Sequence, residues 1–200
     1  SLKKAGLARV NVSLDTLRGE RFKQITSVDA LKSVMSGIEK AKDAGLHPVK
    51  VNMVLLKGLN DDEVPSMINF AKKIGVILQI IEFEASYENE LYKRYHASMD
   101  AVEHLLENMA ESITIRKMHH RKKYHLRNGG EVEIVKPMHN TEFCSHCNRI
   151  RVTSDGKLKP CLFRNDNLVD MLGPMRRGAS EDTLRKVFLE AVKRREPYFK

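Results

Sequence analysis

The chain has 200 residues, 42% of them apolar and 30% charged, which is enough apolar content for a buried core. No apolar run approaches the roughly 20 residues a membrane helix needs, and the first residues lack the apolar stretch of a signal peptide. Thirty-five Lys and Arg against 26 Asp and Glu leave a net charge of +9. That surplus points to an anionic partner, a nucleotide phosphate or a nucleic acid, unless it merely solvates the surface. An odd count of three cysteines without an export signal argues against a disulfide scaffold and for reduced thiols in the cytoplasm.

Ser1 is not an initiator methionine, and residues 2–6 read as the last turn of a helix with its terminal glycine. The chain is therefore expected to be a piece of a longer protein. Residues 9–15 alternate, with Val10, Val12 and Leu14 on one face and Asn11, Ser13 and Asp15 on the other, as in a half-buried strand. Ser27 is the expected cap of a helix with the apolar stripe Val28, Leu31, Val34, Met35, Ile38 and Ala41, closing at Gly45. Residues 49–56 form the next strand, again with a polar subset, Lys50 and Asn52. Asn60 opens a second helix whose first turn holds Asp61, Asp62 and Glu63, and Gly75 ends it. Residues 76–83 make a third, mostly apolar strand.

Strand and helix alternating with short links predict parallel strands joined by right-handed crossovers. The polar subset lies opposite the face that packs on helices, so it is expected to line a cavity. Ser13, Asn52 and Glu84 fall near the carboxyl ends of their strands, where barrels keep their chemistry. Three such units are too few to close an eight-stranded barrel.

From Tyr87 the pattern changes. Ser98 caps a helix with Val102, Leu105, Leu106 and Met109. Residues 112–118 and 124–135 read as antiparallel strands, the latter folding at Asn128-Gly129-Gly130. The run His119-His120-Arg121-Lys122-Lys123 between them is expected to be a solvated loop or a charge-protected edge rather than an RNA or metal contact. Ser180 caps a final helix.

Cys144 and Cys147 form a Cys-x-x-Cys pair, and Cys161 follows beyond the Asp155-Gly156 turn. Such a trio holds a metal or an iron–sulfur cluster with one coordination position left over. Zinc, with His146 or His139 as a fourth ligand, and an iron–sulfur cluster fit the spacing equally. Arg149 and Arg151 alternate on an expected strand over residues 149–154, where two guanidinium groups on one side could fork onto phosphate or purine acceptors.

Residues 143–163, Phe-Cys-Ser-His-Cys-Asn-Arg-Ile-Arg-Val-Thr-Ser-Asp-Gly-Lys-Leu-Lys-Pro-Cys-Leu-Phe, closely resemble the C-terminal cluster motif of the GTP 3′,8-cyclase family. These are radical S-adenosylmethionine enzymes (lyases) of molybdenum cofactor biosynthesis. Arg9-Val10-Asn11-Val12-Ser13-Leu14-Asp15, Val49-Lys50-Val51-Asn52 and Lys57-Gly58-Leu59-Asn60-Asp61 resemble that family's mid-barrel strands and loops. The resemblance implies an α/β fold, a partial TIM-type βα barrel with a C-terminal antiparallel β/α region carrying a 4Fe-4S cluster. It divides the chain into residues 1–86, the second half of the barrel, and 87–200, the cluster and substrate region.

By the same resemblance, Cys144, Cys147 and Cys161 are the cluster ligands, leaving one iron open. Lys50, Arg149, Ile150 and Arg151 bind GTP, and Ser13 contacts S-adenosylmethionine. The implied product is (8S)-3′,8-cyclo-7,8-dihydroguanosine 5′-triphosphate. No catalytic residue is assigned. Glu84 stands where the family commonly has a methionine, and a Gly-Gly tail is replaced by Phe199-Lys200. The Cys-x-x-x-Cys-x-x-Cys motif of a second, radical-generating cluster is expected upstream of this chain, so this piece alone should not turn over. Expected partners are GTP and S-adenosylmethionine, with homodimerisation, and without membrane or nucleic acid. The competing readings are a zinc-stapled basic RNA-binding module and another radical S-adenosylmethionine enzyme with an auxiliary cluster.

Overall fold

The computed structural model of the protein describes residues 2–85 and 88–199. They divide into two units, Ser1–Met138 and His139–Lys200. The expected boundary between residues 86 and 87 lies outside the described residues.

The first unit alternates as its hydrophobic pattern requires: β1 (Val10–Ser13), α1 (Gly19–Thr26), α2 (Leu31–Asp43), β2 (Val49–Leu55), α3 (Val64–Ile74) and β3 (Ile77–Glu82). Then come α4 (Glu90–Tyr95), α5 (Asp100–Met109), β4 (Ala110–Ile115), β5 (Lys122–Leu126) and β6 (Glu131–Val135). The six strands form one sheet in the order β1-β2-β3-β6-β5-β4. The first four are parallel, and the β6-β5 and β5-β4 pairs are antiparallel. The architecture is thus mixed α/β around a mostly parallel central sheet.

Strand periodicity sends alternate side chains to opposite faces. Val49, Val51 and Met53, Leu78 and Ile80, and Val132 and Ile134 are all buried, in one core with Ile38 of α2, Met67, Ile68 and Ala71 of α3 and Leu106 of α5. The opposite parity is polar. Parallel register sets Ser13 beside Asn52, Asn52 beside Gln79 and Gln79 beside Glu133. The expected polar face therefore exists and runs across four strands. Asn52 is not at a strand end, since β2 continues to Leu55.

Three local expectations are corrected. Ser27 does not open a helix. It closes α1, a helix with too little apolar periodicity to announce itself, with φ 62° and its N–H donating to the Lys23 carbonyl, and α2 begins at Leu31. Asp61–Glu63 form a 3-10 turn ahead of α3, which starts at Val64 with proline in its first turn. Asn60 is recruited away from capping: its side-chain oxygen accepts from Leu56 N, and its amide donates to the Asp15 and Val54 carbonyls. Of the basic run, His119 and His120 lie in the 3-10 segment between β4 and β5, as the loop reading has it, but Lys122 and Lys123 open β5 and are not an edge. β5 lies inside the sheet between β6 and β4, where Lys122 reaches Glu103 at 3.1 Å and Lys123 reaches Glu131 at 2.6 Å.

The second unit contains α6 (Thr141–Ser145), β7 (Arg151–Val152), β8 (Lys157–Lys159), β9 (Val169–Asp170), α7 (Leu172–Arg176) and α8 (Glu181–Lys193). Its strands form an antiparallel sheet, β7-β8-β9. Ser180 caps α8 as expected, its side chain accepting from Thr183 N. No helix among the described residues is long and apolar enough to cross a membrane.

Ile80 has no exposed surface and sits at the centre of the first core. Ile80→Ala should lower unfolding stability by about 2–5 kcal/mol. Ile113→Ala, on the edge strand β4 with 42% of its surface exposed, should cost far less. Urea denaturation of both variants checks the contrast.

Candidate functional site

The thiol site is built by short-range folding within the second unit. Asn140 caps α6, its side chain accepting from Phe143 N, and Cys144 N bonds back to the Asn140 carbonyl. Cys147 N then bonds to the Cys144 carbonyl, which wraps the Cys-x-x-Cys loop tightly. Cys161 is delivered from the other side, two residues after β8. All three thiols are free and half-buried. Burial raises the Cys144 thiol above its ordinary value, and the charges of Cys161 and Cys147 raise it further, so the Cys144 sulfur lies within the field of the other two. Neutral thiols gain nothing from that proximity, whereas a cation among them would. The donor set thus suits a thiophilic metal or cluster.

Arg195, just past α8, braces this loop. Its guanidinium donates to the Cys147 carbonyl and to the Arg149 carbonyl. This also corrects the expected strand over residues 149–154: the Arg149 carbonyl is taken by a side chain, so ladder pairing begins only at Arg151, opposite Lys159. Arg149 is exposed, while Ile150 and Arg151 are half-buried. The Asp155-Gly156 turn fits expectation. Gly156 has φ 78°, and a Cβ there would collide with the Leu172 side chain, so no other residue fits without strain.

Of the two histidines weighed as zinc ligands, His146 uses Nδ1 within its own loop and His139 packs on aromatic rings. His146 Nδ1 lies 3.0 Å from the Glu142 carbonyl and 3.1 Å from Ser145 Oγ. The His139 ring packs against Tyr198 and Phe199 at 5.5 and 5.0 Å between centroids.

Lys50 and Ser13 belong to the first unit. Ser13 is exposed on the edge strand β1. Lys50 is 8% exposed, and its Nζ lies 2.7 Å from Glu133 Oε1. Glu133 is fully buried and carries the polar face: Gln79 Nε2 donates to its other oxygen at 2.7 Å, and Arg116 Nη1 approaches Oε1 at 2.5 Å. Arg121 stands 4.0 Å away. Burial alone would raise the Glu133 carboxyl, but Lys50 and Arg116 outweigh it and hold the group below the usual range. Burial lowers Lys50, against the pull of Glu133 and with help from Arg116 and Arg121. The carboxylate is therefore firmly ionised, while the lysine holds its proton less tightly than an exposed one. Asn52 Oδ1, on the same face, is buried with no hydrogen-bond partner among the described residues.

Sequence reasoning missed Glu133, Gln79, Arg116 and Arg195. Alternation through residues 131–135 puts Glu131 and Glu133 on one parity and cannot tell which is buried. Arg195 follows a helix by two residues and looks like any basic C-terminal flank.

A second network secures the link after β1. Glu63, almost fully buried, accepts from Thr16 Oγ1 at 2.6 Å, from Leu17 N at 3.0 Å and from Arg21 at 2.8 Å. Burial alone would raise its carboxyl, yet these donors hold it below the ordinary value. This is a structural brace.

The model of the Molybdenum Cofactor Synthesis C family matches residues 76–200, more than half of the chain. The chain belongs to that family. Residues 1–71 match the model of the Radical SAM superfamily. Among curated relatives, the probable GTP 3′,8-cyclase of Thermococcus kodakarensis is 50% identical over 205 residues, covering 100% of this chain and 66% of that protein. The protein of the same name from Methanothermobacter thermautotrophicus is 50% identical over 204 residues, with the same coverage. That of Methanosarcina acetivorans is 49% identical over 203 residues, covering 100% of this chain and 59% of the relative. The chain therefore spans about two thirds, or less, of the length of these relatives.

Because Glu133 has its pKa lowered on folding, the unfolded chain binds more protons between the two values, so stability rises with pH across that window. The contribution is complete above the ordinary glutamate range and is lost as pH falls through the lower folded value. Glu133→Gln should cost about 3 kcal/mol at neutral pH. The gap from the unaltered protein should close on acidification, as read by denaturation curves at stepped pH.

Proposed function

We propose that this chain is the substrate-holding part of a radical S-adenosylmethionine GTP 3′,8-cyclase. The reading rests above all on three free, half-buried thiols, two of them just ahead of Arg149 and Arg151 in sequence, in a chain whose whole length aligns with relatives named for that activity.

In this reading Cys144, Cys147 and Cys161 hold a 4Fe-4S cluster, and a trio of thiolates leaves one iron for an outside ligand. When bound, the cluster supplies a Lewis-acidic site at which a nucleotide base can be held. Arg149 and Arg151 offer forked donors to phosphate or purine oxygens, and Ile150 between them gives an apolar wall. Arg195 keeps the loop from relaxing, so the thiols and the arginines stay in one arrangement before anything binds. Lys50 supplies positive charge to the triphosphate, and Ser13 meets S-adenosylmethionine. The parallel strands of the first unit would be part of an incomplete TIM-type barrel. The reading places the protein in the cytoplasm, where thiols stay reduced.

Anaerobic reconstitution with iron and sulfide should give broad visible absorption and about four irons per chain for one cubane. Cys144→Ser should abolish both, whereas a colourless protein holding one zinc per chain rejects the cluster. Arg149→Ala and Arg151→Ala should each weaken GTP binding by about 1–3 kcal/mol, as for hydrogen bonds to charged groups. Calorimetric titration of the reconstituted protein checks this, and unchanged affinity in both removes the arginines from the site.

A further inference from the structure

The polar face of the first sheet holds a cation that neither the cysteine motif nor the relatives' names point to. Arg116 follows β4 and turns back over the sheet. The turn is closed by Arg116 N donating to the Arg121 carbonyl at 2.9 Å, across the 3-10 segment Met118–His120. Two successive residues in it, His119 and His120, have φ of 64° and 49°. Non-glycine residues in that region are uncommon, and a pair costs conformational energy that the surrounding structure must repay. The turn sets Arg116 against a carboxylate that Lys50 and Gln79 also meet.

Lys50 Nζ and Arg116 Nη1 meet the same oxygen of Glu133, at 2.7 and 2.5 Å. Two cations on one carboxylate oxygen repel each other and leave a positive surplus where burial has removed water. The two differ in access: the side chain of Lys50 is 10% exposed and that of Arg116 is 39% exposed. Arg121, its side chain 9% exposed, stands 4.0 Å from the other oxygen, so Glu133 holds two deep cations and a shallow one in fixed relation. A chain of phosphates, with charges spaced along it, matches cations at two depths.

We propose that Arg116 is a second polyphosphate-binding residue, positioned by Glu133 beside Lys50 to grip the triphosphate of the nucleotide. This rests on the nucleotide reading above and adds a residue to it. Glu133 is a positioning residue: it touches no ligand and keeps two like charges together until the polyphosphate compensates them. Arg116 selects for nucleotides that carry a polyphosphate over the free nucleoside.

The test is calorimetric titration of the full chain, reconstituted as above, with sodium tripolyphosphate, GTP and guanosine. Arg116→Ala should weaken tripolyphosphate and GTP by about 10- to 100-fold, as expected for loss of a charge-assisted contact, and leave guanosine unchanged. Arg116→Lys should recover part of the loss. Arg116 is exposed enough that its substitution should not unfold the protein, and thermal melts of each variant verify this. Equal loss for GTP and guanosine, or no loss for tripolyphosphate, overturns the assignment of Arg116. Tripolyphosphate binding that depends on Arg116 but is not displaced by GTP overturns the nucleotide reading instead, and iron uptake by the cysteines reports on that reading separately.

Discussion

A carboxylate with no exposed surface in the middle of a sheet is tolerable only if every lone pair is met by a donor and its charge is balanced. Glu133 meets this condition through three elements at once: Lys50 from β2, Gln79 from β3 and Arg116 from the turn after β4. The demand runs outward. It ties the parallel strands to the antiparallel hairpin and forces the chain between β4 and β5 to fold back over the sheet. It also makes one face of a well-packed sheet polar and cationic. The other face, filled by Val51, Met53, Leu78, Ile80 and Ile134, supplies the stability that such a face does not.

The second unit solves a different problem. Its buried apolar side chains, among the described residues, are Leu158, Pro160 and Ala191, too few for a self-sufficient core. Polar braces take over: Arg195 on the Cys147 and Arg149 carbonyls, Asn167 Nδ2 on the Arg194 carbonyl, and Arg164 on Asp166, Glu196 and the Pro197 carbonyl. A metal cross-link among Cys144, Cys147 and Cys161 would supply the stapling that small units need. Under the proposed cluster, binding at the thiols and folding of this unit would be the same event viewed from two sides.

Much of the architecture was legible from the order of residues. Alternation at residues 9–15 and 49–56 specified β1 and β2 and their polar parity, and glycine at 75 marked the end of α3. The Cys-x-x-Cys loop and the Asp155-Gly156 turn could be read because both depend on local spacing, which sequence preserves. Helix α1 escaped because Phe22 is its one buried residue, leaving little periodicity to detect. Ser27 was misread because a serine flanking two helices can serve either one, and only the αL conformation at Ser27 distinguishes closing the first from opening the second.

What the chain order determined by itself was therefore whatever depends on neighbours in sequence: the βα alternation, the hairpin turn at Asn128-Gly129-Gly130, the cap at Ser180 and the spacing of Cys144, Cys147 and Cys161. Only the tertiary structure decided which charges are buried together. Lys50 and Glu133 are 83 residues apart, and Arg195 is 48 residues from the carbonyl it holds. Whether a lysine or glutamate of a given parity faces water or a partner depends on strand order, and strand order is a property of the whole sheet. Pairing energy between distant charges leaves no periodic trace in the chain, because it is set by distance in space.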